Sequence, residues 1–113
     1  MAETIYRLLR NVFRAVATLA PVMVAHAFAA EKKAELGREL FKELASPPCA
    51  VCHTLADAKS EGSIGPNLDE LKPDKNRVKA AVSGGLGAMP AYDSLSENEI
   101  DAIASYVSSA AAK

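Results

Sequence analysis

The sequence predicts an all-α domain with three main helices joined by loops. Apolar residues recur at helical spacing in three separate stretches, and each stretch is bounded by a capping residue or by a proline or glycine pair. No stretch alternates polar and apolar residues for long enough to indicate a strand. A chain of 113 residues has room for one small domain.

The N-terminus has the pattern of a secretory signal. The positive residues that begin such a signal are Arg7, Arg10 and Arg14. They are followed by an apolar stretch from Ala15 to Ala29, which Pro21 interrupts. An uncleaved anchor helix is the alternative, but this stretch is short for a membrane span, which needs about 20 apolar residues.

Small residues at positions 27 and 29 predict signal cleavage after Ala29, and cleavage after Ala27 is the alternative. We therefore expect residues 1–29 to be a signal peptide. Residues 30–113 would form the exported domain, which would lie in the periplasm with no membrane span.

Removal of the signal leaves a domain with more acidic than basic side chains. Proteins that bind nucleic acid generally present a basic surface, so we expect no nucleic-acid partner. A domain of this size also buries little apolar surface by itself. A large apolar cofactor would therefore be a substantial part of its core.

The first helix is predicted from about Lys32 to Ala45. Its apolar face consists of Leu36, Leu40, Phe41 and Leu44. The pair Pro47-Pro48 prevents the helix from continuing. After it comes a loop-rich stretch, residues 54–73, whose candidates for burial are Ile64, Leu68 and Leu71.

The second helix is predicted from an N-cap at Asp74 to about Val82, and Gly84-Gly85 ends it. Its apolar residues are Val78, Ala81 and Val82. The third helix begins at a capping box formed by Ser96 and Glu99. Its apolar residues are Ile100, Ile103, Ala104 and Val107.

Residues 49–53 read C-A-V-C-H, which is the attachment signature of a c-type haem. In that chemistry the two thiols form thioether bonds to the porphyrin, and the histidine binds the iron. Cys49 and Cys52 are the only cysteines of the chain. A redox dithiol or half of a zinc site are the alternatives, but the chain lacks the βαβ context of the first and the further ligands of the second. The motif predicts one haem c bound through Cys49 and Cys52, with His53 as the proximal iron ligand.

The exported domain contains one histidine, His53, and one methionine, Met89. Met89 lies in a glycine-rich segment, residues 84–90, whose glycines allow the backbone to approach a flat ligand closely. Met89 is therefore the only thioether available as a distal iron ligand. The alternative role for a single methionine is to fill a gap in the core.

The order of these parts resembles the class I monohaem cytochromes c. In that family an N-terminal helix leads into C-x-x-C-H, a loop follows, a methionine comes late, and a C-terminal helix closes the chain. The resemblance covers residues 31–110. It implies a class I cytochrome c fold, in which three main helices and their loops wrap around one covalent haem.

The resemblance also implies roles for single residues. His53 and Met89 would be the two iron ligands, and the carbonyl of Pro66, in the segment 65–68, would accept the other N–H of the proximal histidine. A contact between the terminal helices would be formed by Gly37, Phe41 and Tyr106. Tyr92 would be the aromatic neighbour of the haem.

Three segments, residues 49–55, 64–68 and 87–92, are similar to small cytochromes that serve bacterial sulfite dehydrogenases. This similarity implies an electron carrier that accepts electrons from a molybdenum sulfite dehydrogenase and passes them to a terminal oxidase. The protein would act as a monomer or as a small subunit of a heterocomplex.

Two other functions are compatible with a covalent haem. One is an electron-transfer subunit of another periplasmic dehydrogenase. The other is a small-ligand-binding or peroxidase-like haem protein, which needs an open iron site and a distal acid or base. With His53 and Met89 on the iron and no second histidine after cleavage, the sequence predicts that the protein is not an enzyme.

Overall fold

The structure is a computed structural model that describes the backbone of residues 2–113 and the side chains of residues 3–7, 9–10 and 25–113. The chain divides into two compact units, Met1–Glu31 and Lys32–Lys113. Each unit is described by itself.

The first unit consists of most of a long helix, α1 (Ala2–Glu39). Among the side chains of this unit that the structure describes, the exposed large apolar ones are Ile5, Tyr6, Leu9 and Phe28. The predicted signal segment lies in this unit, and its cleavage stays a prediction. In the part of the chain that the structure describes, no helix is long and apolar enough to cross a membrane.

The second unit begins with the end of α1, which continues into one π-helical turn, Leu40–Leu44. The N–H of Ala45 donates to the carbonyl of Leu40 at 3.1 Å, one residue farther along than in an α-helix. The wider turn brings Ala45 into the core and leaves Leu44 59% exposed. The prediction that Leu44 belongs to the apolar face was therefore wrong.

The prediction for Leu36 was also wrong, since this side chain is 36% exposed. The buried face starts one residue later, at Gly37 of α1, and continues into the π-helical turn with Leu40 and Phe41, three and four residues on. The end of the helix before Pro47 is confirmed, because Ala45 already has extended backbone angles.

The motif cysteines lie on a single helical turn, α2 (Cys49–Cys52). Two short strands follow, β1 (Thr54–Leu55) and β2 (Ser60–Glu61), paired antiparallel with Leu55 opposite Ser60. A 3₁₀ turn, Ala56–Ala58, connects them. This hairpin was not predicted, because strands of two residues are too short to show an alternating pattern.

The rest of the loop-rich stretch contains one helical turn, α3 (Leu68–Leu71), capped by the side chain of Asn67. Leu68 is buried, as predicted. Ile64 and Leu71 are 75% and 37% exposed to the space around the protein chain, so they are not packed against other side chains as the prediction of burial implied. Both side chains line the cavity described below and do not face the packed interior.

The two later helices confirm the predicted capping. In α4 (Lys75–Gly84) the carboxylate of Asp74 accepts the backbone N–H of Arg77 at 2.9 Å, and Gly85 ends the helix with a φ of +70°. In α5 (Glu97–Ala111) the side chains of Ser96 and Glu99 form both hydrogen bonds of the capping box. The four predicted apolar residues of α5 are buried: Ile100, Ile103, Ala104 and Val107.

The end of α1 packs directly on α5. A β-carbon at Gly37 would lie 2.2 Å from the carbonyl oxygen of Ala102 and 2.7 Å from the β-carbon of Tyr106. Next to this contact, the rings of Phe41 and Tyr106 meet edge to face with centroids 6.0 Å apart. The predicted contact between Gly37, Phe41 and Tyr106 is confirmed.

Candidate haem site

A cavity of about 490 Å³ opens in the second unit, between the motif turn, α4 and the loop that follows α4. This volume is typical of a cofactor pocket. The buried apolar side chains that line it are Phe41, Leu68, Val78, Val82, Ile103 and Val107. Arg77 is the one arginine among the residues that line the cavity, and these residues include no lysine, aspartate or glutamate.

The two motif cysteines lie on the wall of this cavity. They are not joined by a disulfide, and Cys49 is 6% exposed. Burial raises the pKa of the Cys49 thiol to about 11. A redox-active dithiol needs a thiol of lowered pKa, so this environment argues against the dithiol alternative.

His53 follows the motif turn and lines the same cavity. Its Nδ1–H donates to the carbonyl oxygen of Pro66 at 2.8 Å. Because a carbonyl can only accept, this contact fixes the proton on Nδ1 and leaves the lone pair of Nε2 free to bind a metal.

Two glycines hold the loop from residue 62 to 65 close to the motif. A β-carbon at Gly62 would lie 2.6 Å from the carbonyl carbon of Cys52, and one at Gly65 would lie 2.5 Å from Cε1 of His53. The backbone N–H of Gly65 also donates to the carbonyl of Cys52 at 2.7 Å. Gly65 was predicted only as part of the segment around Pro66, and Gly62 was not predicted at all, since nothing in the linear pattern marks a close approach.

Met89 lies on the same cavity, half-buried, in the loop between α4 and α5. Met89 and Leu86 exchange a pair of backbone hydrogen bonds, each 3.0 Å long. The loop starts at Gly85, where a β-carbon would lie 2.8 Å from the carbonyl oxygen of Met89. This short loop is therefore folded tightly on itself.

Tyr92 ends the loop and is 6% exposed. Its hydroxyl donates to the carbonyl oxygen of Pro47 at 2.9 Å, and its backbone N–H donates to the carbonyl of Val82 at 2.9 Å. Burial and the neighbouring Cys49 raise the pKa of the phenol to about 12, so it stays protonated at neutral pH. The contact with Pro47 could not be read from the sequence.

The five predicted site residues thus lie on one cavity: Cys49, Cys52, His53, Pro66 and Met89. The residues present fit a covalently bound haem. Apolar walls suit a porphyrin, the cysteines lie one helical turn apart for its two vinyl groups, and Gly65 leaves room beside the imidazole.

A mostly helical unit whose apolar cavity carries a C-x-x-C-H motif in its wall defines a small c-type cytochrome. The chain belongs to the family described as cytochrome c oxidase, cbb3-type, subunit III, whose model matches residues 32–107. Comparison with curated protein sequences gives no significant match.

Among solved structures, the chain is similar to the c-type cytochrome SorU from Sinorhizobium meliloti. The two share 58% sequence identity with a TM-score of 0.72, over 74% of this chain and 95% of that one. The protein is therefore a small monohaem c-type cytochrome with a class I fold, and it holds one haem c on its C-x-x-C-H motif. Proteins of this kind are electron carriers.

Proposed function

We propose that the protein is a periplasmic electron carrier whose haem iron is bound by His53 and Met89. When bound, the haem supplies an iron that takes up one electron and releases it again. The observation that carries the proposal is that both side chains line one cavity, with Nε2 of His53 left free by the hydrogen bond from Nδ1 to Pro66.

The residues of the cavity each have a task in this proposal. Pro66 holds the imidazole in one orientation and in one tautomer. The thioether of Met89 favours the reduced iron and so raises the reduction potential. Arg77 is suited to the carboxylates of the haem propionates, because a guanidinium pairs well with a carboxylate.

With His53 and Met89 bound to it, the iron would have no open position for a substrate. His53 is the one histidine after residue 29, and it is occupied with the iron in this proposal. The cavity therefore offers no distal histidine as acid or base, and we propose that the protein transfers electrons without catalysing a bond-changing reaction.

The substitution Met89→Ala tests the ligation. The variant should retain its haem, lose the sulfur-to-iron absorption at the red end of the ferric spectrum, bind cyanide, and have a lower reduction potential. Leu86→Ala is the matched control, because Leu86 lines the cavity in the same loop and is 70% exposed. An unchanged spectrum in Met89→Ala would show that another group is the distal ligand.

We propose a molybdenum sulfite dehydrogenase as the electron donor and a terminal oxidase as the acceptor. The similarity of residues 49–55, 64–68 and 87–92 to cytochromes that serve such dehydrogenases supports this assignment. The cavity edge also carries exposed apolar side chains, Ile64 at 75% and Leu86 at 70%. Exposed apolar side chains beside the haem cavity suit the small, short-lived contacts of redox partners.

Mixing the ferric protein with a sulfite dehydrogenase and sulfite tests the donor. The ferrous spectrum should appear rapidly, and only when the sulfite dehydrogenase and sulfite are both present. If sulfite gives no reduction while another periplasmic dehydrogenase does, the electron-carrier function stands and the sulfite pathway is wrong.

A further inference from the structure

Tyr92 connects the loop that carries Met89 to the segment just before the haem-attachment motif. We propose that the hydrogen bond from its hydroxyl to Pro47 makes Tyr92 a positioning residue, which holds Met89 where it can bind the iron. The inference rests on the proposed ligation by Met89 and adds a residue that controls it.

Two hydrogen bonds that Tyr92 donates tie together parts of the chain that are far apart in sequence. Its backbone N–H donates to Val82 in α4, which fixes the end of the loop on the helix that precedes it. Its hydroxyl reaches Pro47, two residues before Cys49 and 45 positions away in the sequence. The segment with the haem-binding cysteine and the segment with the methionine are therefore joined at Tyr92.

The loop between these anchors is stiff enough to transmit a displacement. The N–H of Gly85 donates to Ala81 at 2.9 Å, and Leu86 and Met89 exchange their pair of hydrogen bonds. The backbone of Gly85 also lies so near the carbonyl of Met89 that no β-carbon would fit between them. A loop built this way moves as one piece, so its release at Tyr92 frees Met89 as well.

The environment of Tyr92 makes the hydrogen bond effective. The side chain is 6% exposed and lines the cavity beside Met89. A buried hydroxyl or carbonyl without a partner is costly, so this contact favours the conformation in which the loop covers the cavity. Removal of the hydroxyl therefore lowers the free-energy cost of the conformation in which Met89 does not bind the iron.

Tyr106 offers a matched control in the same protein. It is also 6% exposed, and its hydroxyl also donates at 2.9 Å, to Oδ1 of Asp57. That contact joins α5 to the 3₁₀ turn and does not involve the Met89 loop. Removing the hydroxyl from each tyrosine in turn therefore separates control of Met89 from a general loss of stability.

The experiment compares Tyr92→Phe and Tyr106→Phe with the wild type as haem-loaded ferric proteins. It measures the rate at which imidazole replaces the distal ligand, the sulfur-to-iron absorption, and the midpoint of unfolding in guanidinium. Tyr92→Phe should bind imidazole roughly three- to tenfold faster, the range that one hydrogen bond allows. Tyr106→Phe should lower the unfolding midpoint and leave the rate of imidazole binding within about twofold of the wild type.

Equal rates for Tyr92→Phe and the wild type would overturn the inference. Equal acceleration by both substitutions would also overturn it, because general loosening of the fold would then be the cause. A wild type that lacks the sulfur-to-iron absorption would refute the ligation by Met89 itself, and the inference with it. The presence of that band therefore shows which of the two proposals has failed.

Discussion

Gly65 lies directly against the imidazole ring of His53. A β-carbon at this position would lie 2.5 Å from Cε1 and 2.8 Å from Nδ1 of the ring. The next residue, Pro66, accepts the Nδ1–H at 2.8 Å. Two consecutive residues thus position the ring, one by contact and one by a hydrogen bond, and only glycine fits the first position.

We predict that Gly65→Ala displaces the imidazole. The added methyl group overlaps the ring, and overpacking of this kind costs about 1–3 kcal/mol. The variant should contain less haem per protein, measured by absorbance after purification, and should melt at a lower temperature. Gly84→Ala is the control, because nothing lies within 4 Å of a β-carbon there and alanine is the better helix residue. Equal haem content in the two variants would contradict the contact.

A second prediction concerns the attachment of the haem. With thioether bonds at both Cys49 and Cys52, the haem should stay on the protein through denaturation and acid–acetone extraction. In Cys52→Ser only the thioether bond to Cys49 can form. The haem spectrum of this variant should therefore show the signature of one unreacted vinyl group. Haem that can be extracted from the native protein would contradict covalent attachment.

A third prediction concerns the contact between α1 and α5. Gly37→Val should force the helices apart, since the β-carbon alone would lie 2.2 Å from the carbonyl oxygen of Ala102. We expect a loss of about 1–3 kcal/mol in the free energy of unfolding, measured by guanidinium titration. Ala34→Val, at an exposed position of the same helix, is the control and should change the stability by less than about 0.7 kcal/mol. Similar losses in both variants would mean that the contact is not close.

Much of the site could be predicted from the sequence because its parts are local. C-x-x-C-H places both cysteines and the histidine within five residues, and the caps at Asp74 and Ser96 are signals of three or four residues. Met89 was identified because it is the only methionine after residue 29, and the resemblance to a family assigned it the same role. The role of Pro66 came from that resemblance alone, and the structure places both residues on the same cavity as His53.

The features that could not be predicted depend on tertiary structure or on a break in periodicity. The π-helical turn inserts one residue into the helical pattern, so extrapolation along an α-helix put Leu44 in the core, where the structure has Ala45. Ile64 and Leu71 were expected to be buried because they are apolar, but they line a cavity. The contact between Tyr92 and Pro47 spans 45 positions and has no linear signature.

Asp101 on α5 is the centre of an ion-pair cluster that was not predicted from the sequence, in which it pairs with Lys33, Lys75 and Lys79. Hydrogen bonds from the three ammonium groups hold the pKa of its carboxyl well below the usual value. The cluster joins the end of α1, α4 and α5 through a single carboxylate.

The lowered pKa predicts how this cluster depends on pH. A carboxyl whose pKa is lower in the folded than in the unfolded state stabilises the fold above the unfolded value of about 4. That contribution is lost as the pH falls from there through the folded value. Asp101→Asn should therefore lower the melting temperature at pH 7, and the difference from the wild type should shrink steadily below pH of about 4.

The effect of Asp101→Asn should be small and should weaken with added salt, because the carboxylate and its lysines are partly exposed. Melting curves at pH 7 and pH 3, each at low and high salt, measure it. Asp93→Asn, at an exposed loop position outside the cluster, is the control and should change little at either pH. A difference that is the same at both pH values would mean that Asp101 stabilises the fold by packing and not by its charge.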